Sequence, residues 1–88
     1  MRYYLEFTDK ATEDIDFHNR RGNRALLGKL LRLLEVLSEH PFTGTGKPEP
    51  LKHQLVGLWS RRINQEHRLV YEVEGDKVFI LSVKGHYD

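Results

Sequence analysis

The 88-residue chain carries 14 Lys and Arg against 13 Asp and Glu, a formal net charge of +1, and its length allows one small domain, residues 1–88, around a single core. With 39% apolar and 31% charged residues the composition is globular, which excludes a disordered tail, and no apolar run nears the roughly 20 residues of a membrane-spanning helix. Without cysteine there is no disulfide, thiolate metal site or thiol nucleophile, and Met1-Arg2-Tyr3-Tyr4-Leu5-Glu6 lacks the apolar stretch and cleavage site of a secretory signal, so a cytoplasmic location is expected.

Tyr3 to Phe7 alternates large and polar residues and reads as an opening strand. Thr8 or Asp9 can cap a helix running to about Arg20, with Ala11, Ile15 and His18 on one face. Gly22-Asn23 breaks that helix and caps a second, from about Arg24 to Glu39, in which Leu27, Leu30, Leu31, Leu34 and Leu37 recur at three- and four-residue spacing. The two make an αα-hairpin.

From His40 to Pro50 three prolines and two glycines exclude helix and central strand, leaving a stiff loop. Three β-like runs follow, Leu58 to Asn64, His67 to Val73 and Lys77 to Lys84, with Leu51 to Leu55 a shorter candidate and Glu74-Gly75-Asp76 a tight turn. A strand, two helices and a run of antiparallel strands predict an α+β domain, a small antiparallel sheet with both helices packed on one face and the other face open.

Charge is unevenly spread. Residues 1–40 balance seven bases with seven acids, whereas Lys47 to Arg68 holds Lys47, Lys52, Arg61, Arg62 and Arg68 against Glu49 and Glu66, with His53 and His67 interspersed. A phosphate responds to charges within about a Debye length, so this local excess matters more than the total. If Ile63 and Leu69 both face the helices, an antiparallel register puts Arg62 opposite or diagonal to Arg68 on the exposed face. Two guanidiniums there suit an anion between them, a solvated strand face being the competing reading.

Glu49 lies between Pro48 and Pro50, which restrict its backbone and suit it to act as a general base, or leave it an ordinary loop carboxylate. His86 and Tyr87 end the last strand, where a histidine can transfer protons at neutral pH or simply fray with the terminus. Lys47, Lys52, His53 and His67 are candidates for backbone phosphates, whereas His18 and His40, in helical segments, read as structural. The five histidines form no metal signature, Gly44-Thr45-Gly46-Lys47 is too short for a phosphate loop, and no Gly-x-Ser-x-Gly elbow appears. What remains is Glu, Arg and His, the set that metal-free transesterification of RNA requires: a base for the 2′-hydroxyl, a cation for the phosphorane and an acid for the leaving 5′-oxygen.

The string Gly44-Thr45-Gly46-Lys47-Pro48-Glu49-Pro50-Leu51-Lys52-His53, then Gly57-Leu58-Trp59-Ser60-Arg61-Arg62-Ile63, then Glu66-His67-Arg68-Leu69-Val70-Tyr71 and the terminal His86-Tyr87 closely resembles the YoeB (Txe/YoeB) toxins, RelE-like, ribosome-dependent mRNA endonucleases of bacterial toxin–antitoxin pairs. The resemblance covers roughly the C-terminal half with near-identical spacing, the helical half matching only in pattern. It implies Glu49 as general base, Arg68 as transition-state stabiliser and His86 as general acid, with Arg62 and Tyr87 contacting RNA. The small sheet with two helices on one face is the fold it implies. Gly85 stands where a bulkier, often aromatic residue is expected, and Asp88 follows the tyrosine, where its carboxylate would raise the pKa of His86 or hang in solvent.

The resemblance further implies a YefM/Axe-like antitoxin, the ribosome and mRNA as partners, operator DNA only through the antitoxin complex, and no cofactor or membrane; it leaves a homodimer open. Two other readings compete. One is a binding protein of the same fold acting through a protein partner, as ParE-type relatives do on gyrase. The other is an inactive half of a repressor complex. The binding protein does not need Glu49, Arg68 and His86 together, whereas one misplaced residue suffices for the inactive form.

Overall fold

Two side-chain caps start the helices. Thr8 sits in extended backbone and its hydroxyl accepts the Ala11 N–H at 3.1 Å, opening α1 (Asp9–Arg20), while Asp9 in the first turn complements the helix dipole. The same hydroxyl lies 3.1 Å from the carbonyls of Ile80 and Leu81, which ties the start of α1 to the last strand. Gly22, at φ +68°, ends the turn after α1, and the Asn23 side chain accepts the Leu26 N–H at 3.2 Å to open α2 (Arg24–Leu37).

The structure, a computed structural model, describes residues 2–85. The helices are followed by β2 (Glu49–Pro50), a 3₁₀ turn (His53–Leu55), β3 (Leu58–Arg62), β4 (Arg68–Glu74) and β5 (Lys77–Ser82), with β1 (Tyr4–Phe7) preceding them. The sheet order is β1-β5-β4-β3-β2. Strands β2 to β5 pair antiparallel, as expected, whereas β1 lies parallel to β5, so the sheet is mixed. Once β2 to β5 have paired in sequence, the outer edge of β5 remains free, and β1 completes it.

The candidate strand at Leu51 to Leu55 is not formed. Only Glu49 and Pro50 pair with β3, and after the Leu51 N–H reaches the Leu58 carbonyl at 2.9 Å the chain turns away through His53 at φ +58°. Proline lacks the N–H that a central strand needs, so this stretch belongs at an edge.

The core is Ala11 of α1, Leu26, Leu30, Leu33 and Leu37 of α2, and Ile63, Leu69, Tyr71, Val78, Ile80 and Val83 of the sheet side. Leu31, expected on this face, is 62% exposed, and Leu26 and Leu33 take its place. At 3.6 residues per turn the buried row 26-30-33-37 is nearly straight, and residue 31 lies about 120° round the helix from it. Among the described residues no helix is long and apolar enough to cross a membrane.

Candidate active site on the open sheet face

Alternation along β3 sends Arg61 and Arg62 to opposite faces of the sheet. The register pairs Arg61 with Leu69 and Arg62 with Arg68, so Arg62 and Arg68 share the open face, as the parity of Ile63 and Leu69 predicts. Arg61 is fully buried, and the surface basic patch expected between Lys47 and Arg68 therefore loses one of its five cations. Its guanidinium donates to the Tyr71 hydroxyl at 3.1 Å and to the carbonyls of His40, Thr43 (2.9 Å) and Thr45 (3.0 Å). These acceptors all carry partial negative charge, and they satisfy a buried cation with no carboxylate among them.

The consequence is a fixed loop. Arg61 grips residues 40–45 from below, the Tyr71 hydroxyl donates to the Pro41 carbonyl at 2.6 Å, and the Arg62 N–H donates to the Gly46 carbonyl at 2.9 Å. Burial pushes the Tyr71 phenol above its ordinary pKa, with the Arg61 hydrogen bond and charge pulling the other way. Gly46 has φ +89°, and a Cβ there would come within 3.0 Å of Leu33 Cδ2 and 3.2 Å of Arg61 Cβ. Glycine is what lets the loop pass directly over Arg61 before Lys47, Pro48 and Glu49.

That loop delivers Glu49 to the edge of the open face. Glu49 pairs with Ser60, and from β4 Arg68 reaches across Ser60 to meet it: Arg68 Nε donates to Ser60 Oγ at 3.1 Å and Arg68 Nη2 donates to Glu49 Oε1 at 3.2 Å. Ser60 is fully buried and its hydroxyl fixes the direction of the guanidinium. The Arg68 side chain is 15% exposed and that of Glu49 60%, so a rigid cation meets an accessible carboxylate. Arg62 lies exposed beside Arg68, and Lys47, Lys52 and His53 are exposed on the chain flanking Glu49. A base, an oriented cation and a rim of further cations thus gather over β2, β3 and β4, an arrangement able to bind a phosphodiester and accept a proton beside it.

Of the histidine expectations, the phosphate reading of His67 changes, and His40 falls outside the helical segment expected for it. His67, taken as a phosphate candidate, is partly buried, packs edge-on against His18 with ring centroids 4.7 Å apart, and accepts the Gly85 N–H on Nδ1 at 3.0 Å. Burial first, then the neighbouring His18, holds its pKa below the ordinary value. His18 is buried, as its structural reading requires, and its Nε2–H donates to the Val83 carbonyl at 2.8 Å. His40 lies just beyond α2 and contributes its carbonyl to Arg61. Gly85, where a bulkier residue was expected, adopts φ +79°, a conformation that glycine reaches without strain. His86 and Tyr87 lie outside the described residues.

Ser60 and Tyr71 were not among the sequence-derived site residues, and Arg61 entered only as a cation of the basic patch. Ser60 carried a usable signal, since it lies two residues from Arg62 in the same strand and so on the same face.

A family model described as the YoeB-like toxin of bacterial type II toxin–antitoxin systems matches residues 7–87. The Toxin YoeB of Escherichia coli K12 is 48% identical over 83 residues, spanning 94% of this chain and 98% of that protein. The fold matches the YoeB dimer from Staphylococcus aureus with a TM-score of 0.86 at 39% identity, covering 99% of this chain and 100% of that one. It also matches the YoeB–YefM complex from the same organism with a TM-score of 0.83 at 40% identity and the same coverage. Sequence and fold agree over nearly the whole length, and the chain belongs to the YoeB-like toxins of bacterial type II toxin–antitoxin systems.

Proposed function

We propose that this toxin is a ribosome-dependent endoribonuclease that cuts mRNA in the A site by attack of a ribose 2′-hydroxyl on the adjacent phosphate. The observation that carries the reading is the Glu49–Arg68 contact at 3.2 Å on an open face with Ser60 behind it. When a phosphodiester arrives, its oxygens compete for Arg68, and the released Glu49 oxygen takes the proton of the 2′-hydroxyl. The O2′–P bond forms, Arg68 and Arg62 offset the charge of the phosphorane, and the P–O5′ bond breaks as His86 donates a proton to the leaving oxygen. The products are a 2′,3′-cyclic or 3′-phosphate and a 5′-hydroxyl. The role of His86 rests on the matching terminal motif, as does the RNA-contacting role of Tyr87; Lys47, Lys52 and His53 hold flanking phosphates.

The partner that restrains this activity is a YefM-like antitoxin, as in the Staphylococcus aureus YoeB–YefM complex, and self-association follows the Staphylococcus aureus YoeB dimer. Glu49→Gln tests the chemistry: it keeps fold and RNA affinity while cleavage on programmed ribosomes falls about two to four decades, the usual share of a general base. Unchanged cleavage removes Glu49 from the mechanism. A 3′-hydroxyl with a 5′-phosphate at the cut would mean attack by an activated water instead.

A further inference from the structure

The last described residues are held by side chains of α1 and by the start of β4. The Val83 N–H donates to Asp14 Oδ2 at 3.1 Å and the Val83 carbonyl accepts from His18 Nε2, two side chains one turn apart on α1. Two residues on, the Gly85 N–H donates to His67 Nδ1 at 3.0 Å and the Gly85 carbonyl accepts the Arg68 N–H at 2.8 Å. The His18 and His67 rings meet edge-on, so the two anchor points brace each other.

Resting on the reading of His86 as the general acid, we infer that His67 is a positioning residue for the reaction: by holding Gly85 it sets where the chain carrying His86 leaves the sheet. Gly85 belongs to no strand and to no part of the hydrophobic core. What the clamp fixes is the backbone of Gly85 itself, the residue that precedes His86 in the chain. Because Arg68 supplies both the backbone N–H that holds Gly85 and the guanidinium that meets Glu49, the clamp references the acid's attachment point to the cation and the base.

The clamp requires Nδ1 to be unprotonated, with the ring proton on Nε2. Protonation would set one N–H against another and release Gly85. The groups facing the ring are His18 and Asp14 from α1, Glu66 preceding β4, and Lys84 following β5; His18 and Lys84 disfavour the cation, Glu66 and Asp14 favour it, and burial, the largest influence, also disfavours it.

Two variants of the full chain separate positioning from bulk. His67→Asn keeps an acceptor near Nδ1 and cannot titrate, whereas His67→Phe keeps an aromatic ring against His18 and removes the acceptor. On programmed ribosomes His67→Phe should lower kcat about 10- to 100-fold at unchanged KM, the scale of a misplaced catalytic group, while His67→Asn stays within about threefold of the parent and loses the contribution of His67 to the acid limb of the pH profile. Equal cleavage by His67→Phe and the parent, or equal impairment of both variants, overturns the inference. Independently of turnover, the Gly85 amide resonance of the unmodified chain should follow the titration of His67 and be protected from exchange above it. An unprotected Gly85 amide that ignores His67 overturns the clamp even if His67→Phe fails to fold. A parent chain that does not cut RNA defeats the proposed function and the catalytic half of this inference, while the Gly85 amide still decides the clamp.

Discussion

Arg61 and Arg62 are neighbours in one strand and occupy opposite physical worlds. Arg61 points to the helices, is fully buried, and spends its donors on three carbonyls and a phenol; Arg62 points to the open face beside Arg68 and is exposed. Pleat parity alone separates a residue that fixes the loop leading to Glu49 from one available to a phosphate. Two equal charges one residue apart therefore carry different kinds of information, the first about where the site is held and the second about what it holds.

The largest effect that would break this contrast is on stability. Arg61→Met leaves three loop carbonyls and the Tyr71 hydroxyl without their partner and should cost about 3 kcal/mol or more, read from the urea midpoint. Arg62→Ala should lie within about 0.5 kcal/mol of the parent, as surface substitutions do. Equal losses would mean that Arg61 is not the loop's anchor. Tyr71→Phe sharpens the point at smaller scale: it removes the bond to the Pro41 carbonyl and one acceptor for Arg61, a loss of about 1–2 kcal/mol.

The contrast also shows what the amino-acid sequence can disclose. Thr8 and Asn23 were legible as caps because capping depends on residues three positions apart, and the Arg62–Arg68 pairing followed from the parity of apolar Ile63 and Leu69. The burial of Arg61 was not legible, because an arginine in a basic stretch ordinarily points outward and only the loop's carbonyls, 16 to 21 residues away, make the interior hospitable. The parallel docking of β1 on β5 was hidden for the same reason, since its partners lie more than 70 residues apart. In α2 the leucines are dense enough to mark several stripes, and only the packing of α1 and the sheet selects the one that omits Leu31. The Glu49–Arg68 contact needed the three-strand register as well as the motifs.

On the open face the corresponding test is kinetic. An acidic antitoxin segment that folds over Arg62 and Arg68 should associate more slowly as salt rises, and the pair Arg62→Ala with Arg68→Ala should lower the association rate about tenfold at low salt. Arg20→Ala with Arg21→Ala, at the end of α1, should change it little. Equal rates for the two double variants would place the antitoxin on the helices, with inhibition acting by blocking ribosome entry.

The smallest effects separate the two regions by pH. On the Arg61 side, burial raises the Tyr71 phenol above its ordinary 10.0, so above that value the unfolded chain loses a proton that the folded chain keeps, and stability falls as pH rises. At the clamp the sign reverses. His67 is held below its ordinary 6.5, chiefly by burial and then by His18, so on acidification through 6.5 the unfolded chain gains a proton before the folded one does. This contribution is present at neutral pH and is lost as pH falls to the folded pKa. Melting temperatures recorded across the range should therefore decline at both ends, with Tyr71→Phe flattening only the alkaline limb and His67→Asn only the acid one. Because His67 touches Gly85 and His18 while Tyr71 touches Arg61 and the Pro41 carbonyl, the two variants share no partner, and their effects should add within about 0.5 kcal/mol at any pH. Marked non-additivity would show that the loop anchor and the C-terminal clamp respond as one unit through β4, and that the division drawn between Arg61 and Arg62 does not extend along the next strand.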